Sequence, residues 1–119
     1  MSNIIGYHVY PKMEPGHVGI KEGSMSAAVE AHNFTFNGRG GHTSRPEETE
    51  DLILIISKFI AQLNLQLEKI KNNTNQFIMT FGHIKGGHTY NVIPDSIKLL
   101  GTLRFFNNST KIKVHNCIN

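Results

Sequence analysis

The sequence predicts an α+β fold in which an open antiparallel sheet carries helices on one face. Three observations lead to this prediction. The chain has 119 residues, enough for one core; apolar residues alternate with polar ones in three segments; and they recur at helical spacing in another. The predicted order is strand, helix, strand, strand and the start of a second helix, which is a ferredoxin-like plait cut short before its last strand. We expect the sheet edge left at that position to pair with another chain.

The first strand is predicted at residues 28–37, which read AVEAHNFTFN. His32, Phe34 and Phe36 would share one face of this strand, and the polar residues between them the other. Residues 1–24 show no sustained period and contain two prolines and four glycines. We therefore assign residues 1–24 to a lead-in segment and residues 25–119 to the folded domain, whose C-terminal end would be incomplete.

The longest predicted element is a helix whose apolar residues form one stripe over about five turns. The stripe consists of Leu52, Ile55, Ile56, Phe59, Ile60, Leu63, Leu67 and Ile70. Acidic residues precede the stripe and include Glu47 and Glu48, which we interpret as partners of the helix dipole. Either Ser44, with Glu47 three residues later, or Thr49 could cap this helix, and the sequence leaves both open.

Two more strands follow the helix. The second begins at Phe77 and ends at Gly86 and Gly87, and its residues Phe77, Met79, Phe81 and His83 would share one face. The third runs from about Ser96 to Phe106, with Ile97, Leu99, Leu103 and Phe105 on one face. The segment between them, GGHTYNVIPD at 86–95, is longer than a tight hairpin needs and is a place to look for function. Residues 107–110 are predicted to cap a second helix over 111–119.

A glycine-rich turn, GRGGHTSRPEE at residues 38–48, joins the first strand to the long helix. Such a turn first suggests a phosphate site. However, no Gly-Lys pair is followed by Ser or Thr, and Thr43 stands where a dinucleotide fingerprint needs its third glycine. The glycines would hold His42 on a short exposed arm, from which an imidazole can donate a hydrogen bond to an oxyanion. The turn alone favours the simpler interpretation, an exposed histidine without a chemical role.

Charge and cysteine content exclude several classes of function. The net charge of +3 comes from basic residues scattered along the chain, which is weak support for nucleic-acid binding. The single cysteine, Cys117, cannot form an internal disulfide, and neither a secretory leader nor a bilayer-spanning run is present in the sequence. We therefore expect a cytoplasmic protein that binds neither nucleic acid nor membrane.

Six segments of the chain together resemble one family. They are GYHVYP at 6–11, G-x-V-G-x-x-x-G at 16–23, GRGGHTSRP at 38–46, DLI at 51–53, GGHTYNVIPD at 86–95 and GTLRF at 101–105. In order and rough spacing they are similar to the dimerisation, or lid, domain of metal-dependent amidohydrolases. That family includes aminoacylases, hippurate hydrolases and plant hydrolases of auxin conjugates.

The resemblance implies a role for several residues. The intact enzyme would be a homodimer with two divalent metal ions, usually zinc, and would hydrolyse N-acyl amino acids or peptide-like amides. By the same resemblance His42 reaches the partner subunit's active site and stabilises the oxyanion there. Asn91 helps to hold the substrate, Arg104 lies near the substrate carboxylate, and His8 is a metal ligand.

Other parts of the family's active site are missing from the sequence. The H-x-H segment with its bridging acid, the glutamate pair that includes the general base and the distal histidine ligand are all missing. Glu47 and Glu48 resemble that pair, but they follow His42 where a helix is predicted to begin. We therefore expect the isolated chain to be inactive and to bind no metal. The remaining histidines, His17, His32, His83, His88 and His115, are assigned structural or surface roles. Two alternatives stay open: a dimerisation module without a catalytic residue, and an RNA-binding plait, although LLGTLRFF lacks the aromatic pattern of such a plait.

Overall fold

The computed structural model describes residues 2–118 and contains one three-stranded sheet, one two-stranded ladder and two α-helices within that range. The elements are β1 (Ala28–Asn37), β2 (Gly41–His42), a 3-10 helix (Pro46–Glu48), α1 (Leu52–Ile70), β3 (Phe77–Gly86), β4 (Val92–Ile93), β5 (Ser96–Phe105) and α2 (Asn108–Ile118). Residues 2–26 are exposed and form no helix or strand. Neither α1 nor α2 combines the length and the hydrophobicity that crossing a membrane would require.

The main sheet has the order β1-β5-β3, and both pairings are antiparallel. Helices α1 and α2 cover one face of this sheet and pack against each other and against β5. The short strands β2 and β4 form a separate antiparallel ladder beyond the end of the sheet. The predicted α+β class, with an open antiparallel sheet and helices on one face, is therefore confirmed.

The core lies between the sheet and the two helices, and the central strand β5 supplies much of it. Its inward residues Ile97, Leu99, Leu103 and Phe105 are buried, as the alternation predicted. One cluster joins Leu103 to Leu63 and Leu67 of α1 and Val114 of α2. A second joins Leu99 and Ile97 to Leu52 and Ile56 at the start of α1. Burial of each such side chain contributes about 1.5–3 kcal/mol, and this holds the helices in place.

Two side chains do not lie on the face that the predicted patterns gave them. Ile55 is 43% exposed because it lies at the margin of the α1 stripe. In β3 the pairing shifts between Phe81, opposite Gly101, and His83, opposite Leu100. Because one extra residue in a strand reverses the alternation after it, His83 lies on the outer face of the sheet.

The cap of α1 is neither of the two predicted residues. The carboxylate of Asp51 accepts a hydrogen bond from the Leu54 amide at 3.0 Å and occupies the N-cap position. The Thr49 hydroxyl instead donates to the Pro46 carbonyl, and Ser44 contacts His42.

The dipole role predicted for Glu47 and Glu48 is also wrong, because both residues belong to the separate 3-10 helix and not to the first turn of α1. At the other end of the chain, the Asn107 side chain accepts from the Thr110 amide at 2.8 Å. Helix α2 therefore begins at Asn108, three residues before the predicted start.

Candidate functional site

The glycine-rich turn and the segment before β5 form two arms that lie side by side. Gly41 pairs with Ile93 and His42 with Val92. A Cβ atom at Gly40 would lie 2.5 Å from the Ile93 carbonyl oxygen. Only glycine therefore permits this approach of the two backbones.

Hydrogen bonds fix both arms beyond the ladder. The Thr43 amide donates to the Asn91 carbonyl at 3.1 Å, and the Thr43 hydroxyl lies 3.2 Å from the same oxygen. At the base of the turn the Arg39 amide donates to the Glu50 carboxylate, and the Glu50 amide donates back to the Arg39 carbonyl, both at 2.8 Å. The loop that carries His42 is thus closed at its base and clamped to its neighbour.

His42 is exposed, and its local hydrogen bonds determine where its proton lies. The Ser44 amide donates to His42 Nδ1 at 3.2 Å, and the Ser44 hydroxyl lies 2.8 Å from the same nitrogen. Because a backbone N–H can only donate, Nδ1 of the neutral ring must be the acceptor. The proton is then on Nε2, so the ring offers an N–H donor on its far side.

An open cleft of about 440 Å³ lies beside this imidazole. Its lining residues are Arg39, Gly40, Gly41, His42, Ser44, Arg45, Glu48 and Thr49. Arg45 pairs with Glu48 at 3.7 Å, but both side chains are more than half exposed, so this pair is weak. The two guanidinium groups and the glycine backbone make the cleft suited to an anionic group.

Of the other predicted site residues, the structure brings Asn91 next to His42. The Asn91 backbone carbonyl holds Thr43, as described, and its side-chain oxygen accepts from the Thr89 hydroxyl at 3.0 Å. The glycine-rich turn and the N-V-I-P segment therefore form one site, although 48 residues separate Thr43 from Asn91.

Arg104 lies at the other end of the sheet. It is exposed on the outer face of β5 between Val29 and Ile78. The eight residue-to-residue steps from Ser96 to Arg104 correspond to about 26 Å of strand. One chain therefore does not bring Arg104 and His42 to the same site.

His8 lies in the exposed lead-in segment, with Nδ1 2.7 Å from the Val9 carbonyl oxygen. An Nδ1–H bond to that oxygen leaves Nε2 free as a ligand atom, which is the tautomer common at metal sites. Among residues 2–118, however, His8 belongs to no group of three or more histidine, cysteine or carboxylate ligands. The described residues do not form a site for two metal ions.

Sequence reasoning missed a cluster of Glu30, His32 and His115, whose ligand atoms all lie within 4.8 Å of one another. Glu30 and His32 are two positions apart on one face of β1, a signal that the sequence contains. His115 comes from α2, and only the tertiary fold brings it there.

The RNA-binding alternative requires aromatic side chains on the outer face of the sheet. The phenylalanines of β1, β3 and β5 instead pack towards the helices; they are Phe34, Phe36, Phe77, Phe81 and Phe105. The outer face of these strands therefore has no stacking platform for bases.

Comparison with known proteins shows the same fold and similar sequences. The chain is 35% identical over 111 residues to N-acetyl-L-cysteine deacetylase of Bacillus subtilis, which covers 93% of this chain and 27% of that protein. It is also 35% identical over 111 residues to IAA-amino acid hydrolase ILR1-like 4 of Arabidopsis thaliana, which covers 93% and 25%. The chain thus spans about a quarter of the length of these relatives.

A solved structure, an amidase of the hydantoinase/carbamoylase family from Burkholderia phymatum, superimposes with a TM-score of 0.64 at 19% identity. The match covers 78% of this chain and 24% of that one, and at this identity it supports the fold alone. The sequence profile of the peptidase dimerisation domain matches residues 21–118. These findings confirm the resemblance drawn from the six segments, and the chain belongs to the peptidase dimerisation domain family.

Proposed function

We propose that this chain is the dimerisation and substrate-capping domain of a cytoplasmic, metal-dependent amidohydrolase that acts on N-acyl amino acids or related amides. In this proposal two such domains form a homodimer, and His42 of each subunit serves the active site of the other. The relatives named above are a deacetylase and an amino acid conjugate hydrolase. Their names support amide hydrolysis as the reaction.

The orientation of His42 is the observation on which the proposal depends. Hydrolysis of an amide passes through a tetrahedral intermediate whose oxygen carries negative charge, and a positioned N–H donor stabilises that charge. Because Ser44 engages Nδ1, the exposed ring has its donor, Nε2–H, directed away from its own backbone. A donor that is held on a clamped arm loses little freedom when the oxyanion forms, which is what preorganisation requires.

The other site residues have narrower roles in the proposal. Asn91 would bind the substrate beside His42, since the two arms move together. Arg104 would bind a substrate carboxylate in a site other than the one His42 serves, because the length of β5 separates them. His8 would be one ligand of the metal ions, zinc by resemblance, which would supply an activated water. A single donor does not hold a metal, so the other ligands must come from elsewhere in the proposed enzyme.

The proposal is tested by His42→Ala in the complete enzyme. Loss of one oxyanion donor lowers kcat by about 100- to 1,000-fold in known cases, and we expect a drop of that size with little change in KM. Ser44→Ala is the matched control, because it removes a hydroxyl but keeps the backbone N–H that fixes the ring tautomer. Its effect on kcat should be much smaller, and an unchanged kcat for His42→Ala would remove the catalytic role.

Complementation between subunits tests whether His42 acts across the dimer. Mixing His42→Ala with His8→Ala enzyme gives hybrid dimers in which one of the two sites has both an intact metal site and an intact histidine. Random pairing makes half of the dimers hybrid, so up to about a quarter of wild-type activity should return. A dimerisation module without a catalytic residue predicts no such recovery.

A further inference from the structure

We propose that Glu30, His32 and His115 form a binding site for a first-row divalent cation of the zinc type. The site would join β1 to α2 on the helix-covered side of the sheet. It does not involve His8, and it differs from the expectation that this chain binds no metal.

The geometry of the three side chains suits such a cation. Two imidazoles and a carboxylate are a ligand set that zinc accepts. With metal–ligand bonds of about 2.0 Å, neighbouring ligand atoms of a tetrahedral site lie about 3.3 Å apart. His115 Nε2 and Glu30 Oε2 are already 3.3 Å apart. One ring nitrogen of His32 lies within 4.8 Å of a ligand atom on each of these two residues, so modest side-chain shifts would bring three ligands around one cation.

An ion-pair network alone does not account for all three residues. Glu30 is satisfied by His115 and by Lys111, whose Nζ lies 3.2 Å from Glu30 Oε2. His32 Nε2, in contrast, is buried and has no hydrogen-bond partner within residues 2–118. A buried nitrogen without a partner is unusual in a folded protein, and a bound cation would satisfy it.

The protonation state of His32 also fits a ligand. Burial lowers the pKa of His32, and the charges of His115 and Lys111 lower it further, against an opposing effect of Glu30. The imidazole is therefore neutral near pH 7, as a metal ligand must be. Phe34 stacks on the His32 ring with centroids 5.9 Å apart and limits the ring's freedom. Glu30 and His115 each remain about one-third exposed, which leaves the cation a route to the site.

Substitution of Lys111 distinguishes a cation site from a purely structural ion pair. Its ammonium occupies the Glu30 oxygen that a cation would use, so the two compete. Lys111 is itself partly exposed and can swing into solvent. Lys111→Met leaves all three ligands in place and should therefore strengthen cation binding several-fold.

The experiment is a titration of ZnCl₂ into the metal-free 119-residue chain, with the heat of binding measured by isothermal calorimetry at neutral pH. We expect one zinc per chain, with Glu30→Gln and His115→Gln weakening the affinity by at least about tenfold. His83→Gln is the matched control, because it removes an exposed histidine from the outer face and should leave the affinity unchanged. Circular dichroism shows whether each variant folds, and Lys111→Met carries the test if a ligand variant does not.

Three outcomes would overturn the proposal. The first is no zinc binding by the wild-type chain or Lys111→Met at about 1 mM, a concentration at which even weak sites fill. The second is binding that Glu30→Gln leaves unchanged or that His83→Gln abolishes. The third is weaker binding by Lys111→Met, which would mean that the lysine supports the site and does not compete for it.

Discussion

Replacement of Gly40 by Ala should destabilise the chain because the two arms of the site leave no room for a methyl group. The new Cβ would lie 2.5 Å from the Ile93 oxygen, 2.9 Å from the Asp95 nitrogen and 3.0 Å from the Pro94 carbonyl carbon. All three are backbone atoms, which cannot rotate away as a side chain can. Gly40 does not have a positive φ, so alanine fits its backbone conformation and the contact alone opposes it.

Two routes could relieve this contact, and the less costly one sets the magnitude. Relaxation needs a shift of about 1 Å to restore an ordinary separation of about 3.5 Å, and overpacking of this kind costs about 1–3 kcal/mol. Separation of the arms would instead break the β2–β4 ladder and the Thr43–Asn91 and Gly38–Asp95 bonds. That route breaks at least three bonds, and at about 0.5–1.5 kcal/mol for each bond it costs at least about 1.5–4.5 kcal/mol. We therefore expect a loss of about 1–3 kcal/mol.

Urea denaturation of Gly40→Ala and Gly82→Ala provides the measurement. Gly82 is the matched control because a Cβ there meets nothing within 4 Å. Both variants lose the same freedom in the unfolded chain, so the difference between their free energies of unfolding isolates the contact. The amide resonance of Thr43 should also shift in Gly40→Ala, since its bond to Asn91 lies beside the new methyl group.

A difference of less than about 0.5 kcal/mol between the two variants, the usual range for harmless surface changes, would refute the steric role of Gly40. A destabilised Gly40→Ala whose Thr43 resonance does not move would refute it as well. The loss would then arise outside the two arms.

Three further predictions concern stability. Asp51→Ala should lower the free energy of unfolding by about 0.5–2 kcal/mol through loss of the α1 cap, whereas Glu47→Ala should change it little. Equal effects of the two substitutions in urea melts would contradict the assignment of the cap. The melting temperature should fall between pH 7 and pH 5, because the pKa of His32 is lowered in the fold and the unfolded chain therefore binds more protons below about pH 6.5. His32→Gln should show a weaker pH dependence, and an identical pH profile would refute this origin. Burial raises the pKa of Glu30 in the fold, but hydrogen bonds to Lys111 and His115 and the charges of these two residues lower it by more, so the pKa lies below its ordinary value. Stability should therefore fall further as the pH drops below that ordinary value.

Much of the fold follows from local periodicity, and the errors have local causes. The stripe from Leu52 to Ile70 and the alternation in β5 depend only on spacing, and both were predicted. The outward position of His83 was not, because a bulge at Gly82 leaves no mark in an alternating pattern other than a glycine. The α1 cap was placed too early because several residues before Leu52 could serve, and the 3-10 helix at Pro46–Glu48 separates them from α1.

The candidate site was predictable only in part, because it depends on contacts between distant segments. The resemblance pointed to His42 and Asn91, and the structure places them together. The bond from Ser44 to the imidazole lies within a three-residue segment, but its geometry depends on the turn, so the sequence suggested a helix cap instead. The rings of His32 and His115 lie 5.5 Å apart, but most of the chain separates these two residues in the sequence, so no local pattern predicts their contact.

The pairing of β2 with β4 has a consequence for how such a domain can vary in length. A residue inserted between Arg39 and His42, or between Val92 and Asp95, would slip the register of both arms and displace His42 and Asn91 relative to each other. The exposed turn at 87–90 lies outside the ladder, and Gly87 already has a positive φ there. Insertions should therefore be tolerated at that turn, while the paired arms accept only exchanges of one side chain for another.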